Sequence, residues 1–112
     1  MIDKENFKEN FKYYGNEVVV QVMDIFLDEY SENLRILQKS IYELDFEKLD
    51  QKAHSLKGVV AYMSEELSAL CFELEQKGKE KIGEGLQTIY DQLDKGIREM
   101  VIELKVLRSE YV

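Results

Sequence analysis

The sequence predicts an all-α fold, an antiparallel four-helix bundle with a short extra helix at its N-terminus. The chain has 112 residues, no proline and 34% charged residues. A proline-free chain rich in Glu, Lys and Leu favours helices, because proline is the strongest helix breaker. Apolar residues recur three or four positions apart along four long segments, and no run shows the strict alternation of a strand. The length predicts one domain, residues 1–112, with a single core.

A glycine separates the first two predicted helices. The first helix is short, covers about residues 3–14 and stops at Gly15. Asn16 is the predicted N-cap of a long second helix that runs to about residue 42. Its inward positions, spaced three or four residues apart, are Val19, Val22, Phe26, Tyr30, Leu34, Leu37 and Ile41.

Two capping residues mark the starts of the third and fourth helices. Asp45 is the predicted N-cap of a helix that runs to about Met63. Ser64, which two glutamates follow, caps a fourth helix that ends near Gly78. A charged connection then leads to a last helix that begins near residue 86. The apolar positions of these three helices are Leu49, Ala53, Leu56, Val60 and Met63; Leu67, Leu70, Cys71 and Leu74; and Leu86, Ile89, Leu93, Ile97, Met100, Leu104 and Leu107.

The net charge of −8 argues against several classes of partner. Nucleic acids and anionic membranes both select basic faces, so we expect neither as a partner. No 18 consecutive residues are apolar and no signal peptide is visible, so we expect a cytoplasmic protein. One cysteine cannot form an internal disulfide, which agrees with a reducing compartment. One histidine and one cysteine are too few soft ligands for a metal site, so we expect no metal and no cofactor.

The single histidine, His54, avoids the apolar stripe of its helix. At about 100° per residue, it lies roughly 140° from the centre of that stripe. Gln51 and Gly58 lie on the same outer side, one turn away in either direction, and Ala61 follows. Lys57 falls within about 60° of the histidine, at the shoulder of the same face. We therefore expect an exposed imidazole with a lysine beside it.

Phosphoryl transfer is the chemistry that suits this arrangement. A neutral imidazole nitrogen is a competent nucleophile near pH 7, because an unperturbed imidazole titrates at about pH 6.5. Lys57 can place its ammonium beside phosphoryl oxygens. Residues 45–63 carry three acids and three bases, so this segment is neutral although the whole protein is acidic. The chain has no glycine-rich phosphate loop. We therefore expect a phosphoryl carrier, and not an enzyme with its own ATP-dependent kinase activity.

The motif AHSLKG at residues 53–58 resembles the signature of histidine-containing phosphotransfer (Hpt) domains, the shuttles of multistep two-component phosphorelays. Residues 26–37 resemble the family's second helix, and residues 45–49 resemble the run that leads into its histidine. Residues 67–78 resemble its leucine–cysteine–leucine–glutamate segment. The resemblance covers about residues 20–80, and it implies a helical bundle that carries phosphate between receiver domains.

The resemblance implies a role for each residue of the motif. His54 is phosphorylated by the aspartyl phosphate of one receiver and passes the group to another; Lys57 supports the phosphoryl oxygens, and Gly58 lets the receiver's loops approach. The other implied docking residues are Gln51, Ala61 and Tyr62 and, as exposed residues of the second helix, Val20 and Met23. The implied partners are response-regulator receiver domains, with a hybrid histidine kinase as a further candidate. We expect the chain itself to be a monomer.

The chain departs from the family pattern just beyond the motif. Many members have a run of small residues and then a glycine, whereas residues 59–64 here read VVAYMS, with Ser64 in the place of the glycine. Tyr62 lies on the outer side of the helix, where it can shape or partly cover the docking surface. The sequence therefore leaves the partner specificity and the geometry of this turn open.

Two alternative functions fit the same sequence. One is the phosphoacceptor domain of a chemotaxis-type histidine kinase, which receives phosphate from an ATP-binding domain. The other is a non-catalytic adaptor bundle that binds receivers through the same face. The intact set of His54, Lys57 and Gly58 weighs against the adaptor, because an adaptor has no need to keep all three.

Overall fold

The computed structural model describes residues 2–112, and this part of the chain contains five helices and no strand. The all-α prediction is confirmed. None of these helices is long and apolar enough to cross a membrane. The helices are α1 (Lys4–Phe11), α2 (Asn16–Glu43), α3 (Phe46–Val60), α4 (Glu65–Glu80) and α5 (Leu86–Arg108).

The four longer helices form the predicted bundle. α2 packs against α3 and α5, and α4 packs against the same two helices, so α3 and α5 lie diagonally opposite each other. The 28 residues of α2 span about 42 Å at 1.5 Å per residue, which matches the 42 Å long axis of the molecule. α1 packs at one end, where Phe7 and Phe11 are buried and the backbone N–H of Asp3 donates to the carbonyl of Met63 at 3.0 Å.

Side-chain caps begin three of the five described helices, and the capping residues are Asp3, Asp45 and Ser64. The Asp45 carboxylate accepts from a backbone N–H in the first turn of α3 at 3.2 Å, and the Ser64 hydroxyl does the same for α4 at 3.2 Å. Both caps were predicted and are confirmed. The prediction that Asn16 caps α2 is wrong, because Gly15 is the N-cap and Asn16 is the first helical residue. A tight turn over residues 61–63 ends α3 earlier than predicted.

One hydrophobic cluster fills the space between the helices. Every apolar position predicted for α3 and α5 is buried. On α2, however, Met23 is 1% exposed, while Val22 and Tyr30 are only partly buried. A 3.6-residue period places the inward position after Val19 between residues 22 and 23, so spacing alone cannot choose between them. The prediction that Met23 is exposed on the docking surface is therefore wrong.

A glycine lets α3 and α4 approach each other closely. A Cβ atom at Gly78 would lie 3.0 Å from both the carbonyl oxygen of Phe46 and the backbone nitrogen of Asp50. Real Cβ atoms are rarely this close to backbone atoms, so a side chain here would force the helices apart. The sequence placed the end of α4 near Gly78, but the helix continues for two more residues and ends where Lys81 adopts a left-handed conformation, with φ of 57°.

Candidate functional site

His54 lies on the outer face of α3, with 69% of its side chain exposed. Gln51, Gly58 and Ala61 are exposed as well. A Cβ atom at Gly58 would meet no atom within 4 Å outside its own helix backbone. The predicted exposure of the imidazole is confirmed, and open surface surrounds it along the helix.

A buried carboxylate from α4 contacts this exposed ring. Glu75 is 1% exposed, and its Oε2 atom lies 2.5 Å from Nδ1 of His54. The other carboxylate oxygen, Oε1, accepts a hydrogen bond from Nζ of Lys57 at 2.6 Å. Nζ of Lys79 lies 3.7 Å from Oε2. Glu75 therefore holds the predicted phosphoacceptor and the predicted phosphoryl-supporting lysine in place relative to each other.

Opposing effects act on the pKa of the Glu75 carboxyl. Burial by itself raises this pKa, but hydrogen bonds from Lys57 and His54 and the nearby lysine charges outweigh burial and lower it below its ordinary value. Glu75 is therefore ionised near neutral pH. Because an ionised carboxylate can only accept hydrogen bonds, Nδ1 of His54 is the donor. In the neutral ring the free lone pair is then on Nε2.

An aromatic ring further restricts the lysine of the motif. Nζ of Lys57 lies 5.1 Å from the centroid of the Phe72 ring, a cation–π contact. The side chain of Lys57 is 27% exposed, so its charge is partly withdrawn from solvent. His54 and Lys57 are three residues apart and therefore neighbours on the surface of α3. The ammonium group is thus held on the same face of α3 as the imidazole.

The close approach of α3 and α4 explains how a residue from a second helix reaches the histidine. Gly78 follows Glu75 by three residues, and Asp50 precedes His54 by four, so the contact between Gly78 and the backbone of Asp50 lies one turn from the site on both helices. A side chain at this glycine would separate the two backbones and lengthen the contact between Glu75 and His54.

Glu75 and Lys79 were not among the predicted site residues. The sequence does contain a signal for Glu75, because this acid lies on the apolar face of α4, four residues after Cys71 and one after Leu74. Charged residues are rarely fully buried without a partner of opposite charge. The pattern of α4 does not name that partner, however, since His54 and Lys57 belong to another helix.

The remaining predicted docking residues differ in accessibility. Tyr62 is 46% exposed, and its ring packs against Phe11 of α1 with 5.4 Å between ring centroids. Val20 is half-buried, so it contributes less surface than expected. Two apolar residues that were not predicted, Ile25 and Val59, are 53% and 37% exposed and line one small groove between α2 and α3.

A comparison with protein families finds a family model that matches most of this chain. The family model of the Hpt domain matches residues 21–105, which include both helices of the site and most of the bundle. The chain belongs to the Hpt domain family. This Hpt domain is therefore a histidine phosphotransfer module of phosphorelays.

A solved structure shares the fold of this Hpt domain. The crystal structure of histidine-containing phosphotransfer protein B (HptB) from Pseudomonas aeruginosa PAO1 matches it with a TM-score of 0.88 and 22% sequence identity. The match covers 99% of this chain and 96% of that chain. At this identity the likeness shows the fold alone. A comparison with curated proteins finds no match.

The cysteine of this Hpt domain lies in the core. Cys71 is buried on α4, and burial is the main cause that raises the pKa of its thiol to about 12. A neutral buried thiol is a poor nucleophile and a poor metal ligand. Within residues 2–112, no group of three or more His, Cys, Asp and Glu side chains could hold a metal ion.

Proposed function

We propose that this Hpt domain carries its phosphoryl group on Nε2 of His54, accepts it from the aspartyl phosphate of one receiver domain and passes it to an aspartate of another. The observation that carries this proposal is the contact between an exposed imidazole and a buried, ionised carboxylate, 2.5 Å from Nδ1. This contact selects the tautomer in which Nε2 is the nucleophile.

The transfer step follows from this tautomer. The Nε2 lone pair of His54 attacks phosphorus, a P–N bond forms, and the P–O bond to the receiver's aspartate breaks with its electron pair leaving on the carboxylate. Because Nδ1 keeps its proton, the phosphorylated ring is positively charged, and Glu75 offsets that charge. No proton has to leave the ring. In the second transfer a carboxylate oxygen of the next receiver's aspartate attacks phosphorus, and the P–N bond breaks with its electron pair returning to Nε2.

Two ammonium groups support the phosphoryl oxygens in this proposal. Lys57 is held by Glu75 and Phe72 next to the imidazole. Lys79 is 52% exposed and lies 3.7 Å from the same carboxylate, so it adds a second positive charge close to the ring. Charge that is already in place stabilises a transferring phosphoryl group without reorganisation during the step.

The receiver docks around the exposed ring. Gly58 leaves open space one turn beyond His54, and Gln51 and Ala61 continue the exposed surface on either side. Tyr62 borders this surface where α3 ends. The phosphoryl group comes from a phosphorylated receiver, including one that belongs to a hybrid histidine kinase, because the sequence has no glycine-rich loop for ATP.

A phosphotransfer assay tests this proposal. The chain is incubated with receiver domains from the same genome, each labelled in advance with radioactive acetyl phosphate. We expect wild-type protein and Ser55→Ala to become labelled, and His54→Gln to remain unlabelled. The label should be lost in acid and survive in base, as a phosphoramidate does. An unlabelled wild-type protein across the whole panel, or label retained by His54→Gln, would contradict the proposal.

The position of the phosphoryl group on the ring is a separate measurement. Because Glu75 accepts from Nδ1, we expect ¹⁵N and ³¹P NMR spectra of the phosphorylated protein to show phosphorus bonded to Nε2 of His54. A signal from an Nδ1-phosphorylated ring would show that the buried carboxylate does not select the nucleophilic nitrogen.

A further inference from the structure

A cleft lined by basic side chains lies between α2 and α3. It encloses about 470 Å³, and its lining includes Arg35 and Lys39 from α2 and Lys48 and Lys52 from α3. No acidic residue lines it. This concentration of positive charge is unexpected in a protein whose net charge is −8.

Neighbouring acids neutralise only part of this charge. Arg35 forms an ion pair with Glu32, with 2.6 Å between Nη2 and Oε1. Lys52 donates to the neutral side-chain amide of Asn33 at 3.3 Å. Within residues 2–112, Lys39 and Lys48 form no ion pair, and both are exposed. The cleft therefore keeps a local surplus of positive charge.

The cleft adjoins the phosphoacceptor. Ser55, which follows His54 in the chain, is part of its lining, and Lys48 lies six residues before the histidine, about 9 Å along the axis of α3. Lys52 and Ser55 also line the small groove that contains the exposed Val59. A protein that covers His54 must therefore lie over or beside the basic cleft.

We infer that this cleft binds an acidic patch on the docking receiver domain and selects among receivers by charge. This inference rests on the proposed function. An acidic receiver is otherwise repelled by the net charge of the carrier, and the uncompensated lysines offset that repulsion at the place where the two proteins meet. Charges at the edge of an interface act mainly on the rate of association and on the choice of partner.

The test is a double charge reversal in the cleft with a matched control. Lys39→Glu/Lys48→Glu places acids in the cleft, and Lys95→Glu/Lys105→Glu makes the same change in net charge on α5, diagonally opposite α3. For each protein the second-order rate of phosphotransfer from a labelled receiver is measured at low and high salt. The rate of His54 phosphorylation by phosphoramidate, a small donor that needs no docking, is measured in parallel.

We expect the cleft variant to accept phosphate from the receiver about tenfold more slowly than the α5 variant at low salt. Its rate should stay constant or rise with salt, because salt screens the remaining repulsion, whereas the wild-type rate should fall as salt screens the attraction. Phosphoramidate should phosphorylate all three proteins at the same rate, because the reversed lysines do not touch the reacting ring.

Several results would overturn the inference. If the cleft variant matches the α5 variant with every receiver, the inference is wrong while the proposed function stands, since wild-type protein is still labelled. If no receiver labels wild-type protein, both fail. If the cleft variant also reacts slowly with phosphoramidate, the lysines act on His54 and not on docking. If sedimentation shows a wild-type dimer that the cleft variant loses, the occupant of the cleft is a second copy of this chain.

Discussion

At the residue scale, Glu75 affects both the stability of the fold and the proposed chemistry of the site. Among the described residues, the buried polar or charged side chains are those of Ser40, Ser64 and Glu75, and Glu75 is the charged one. Withdrawing a carboxylate from water costs several kcal/mol unless charged partners compensate. His54 and Lys57 provide that compensation, and in return the carboxylate orients both of them.

A Glu75→Gln substitution tests this joint role. Glutamine keeps the size of the side chain but removes the charge that holds the Nδ1 proton and the lysine. A hydrogen bond to a charged group contributes about 1.5–3 kcal/mol, which corresponds to roughly tenfold to a hundredfold in rate. We expect phosphorylation of His54 by phosphoramidate to slow by this factor. The exposed Glu73→Gln on the same helix is the control, and equal rates for both variants would contradict the role of Glu75.

The pH dependence of stability gives a second prediction for this carboxyl. Its folded-state pKa is lower than the ordinary value of 4.5, so its native contacts stabilise the fold fully above pH 4.5 and are lost as the pH falls through the folded value. We expect the unfolding free energy of wild-type protein minus that of Glu75→Gln to decrease as the pH falls below 4.5. Urea denaturation across the acid range measures this shift, and a difference that does not change with pH would contradict it.

At the element scale, local signals predicted most of the helices, and contacts between helices decided what the sequence left open. Asp45 and Ser64 cap their helices as predicted, because a cap depends on residues three positions away. The choice between Val22 and Met23 depends on the neighbours of α2, which no local pattern contains. The role of Glu75 was missed for the same reason, since its partners lie 18 and 21 residues away on α3.

Two glycines allow the same substitution to be tested in opposite environments. Gly78→Ala would place a Cβ 3.0 Å from two backbone atoms of α3, so we expect it to destabilise the fold by about 1–3 kcal/mol. Gly58→Ala meets open space in a helix and should stabilise the fold by about 0.5–1 kcal/mol. Urea denaturation of both variants measures the two changes. If both variants are more stable than wild-type protein, helix propensity, and not the packing of α3 on α4, decides the outcome at Gly78.

The turn between α3 and α4 shows why a serine can stand where many family members have glycine. Ser64 has a φ of −154°, an extended conformation that any residue adopts, so glycine is not required there. Its hydroxyl instead accepts from the backbone N–H of Leu67. We expect Ser64→Ala to lower the unfolding free energy by about 1 kcal/mol and Ser64→Gly by only a few tenths. The exposed Ser31→Ala is the control, and an equally small effect at both serines would contradict the capping role.

At the scale of the whole molecule, the order of the helices places the carboxylate contact and the basic cleft on different sides of α3. One side of α3 packs on α4, which brings the Glu75 carboxylate and the Lys79 ammonium to the site. The other side packs on α2, which supplies half of the basic cleft. α5 lies diagonally opposite and completes the core. Under the inferred role of the cleft, substitutions on α2 change the choice of partner while the reacting group stays intact.

The single cysteine offers a measure of how the whole bundle opens. Cys71 is 0% exposed in the core of α4, and the raised pKa of its thiol, about 12, keeps it protonated at neutral pH. A thiol reagent can therefore react only after the bundle opens. For a domain of ordinary stability, about 5 kcal/mol or more, opening slows labelling roughly a thousandfold or more relative to an exposed thiol.

We expect the labelling rate of Cys71 to rise with urea and to report the same midpoint as circular dichroism, because one core links all the helices. The reference for an exposed thiol is Ser31→Cys in a Cys71→Ala background. Native-state labelling as fast as this reference would mean that α4 opens separately from the bundle. In that case the carboxylate of Glu75 would leave His54 and Lys57 with every such opening, and the site would be only intermittently assembled.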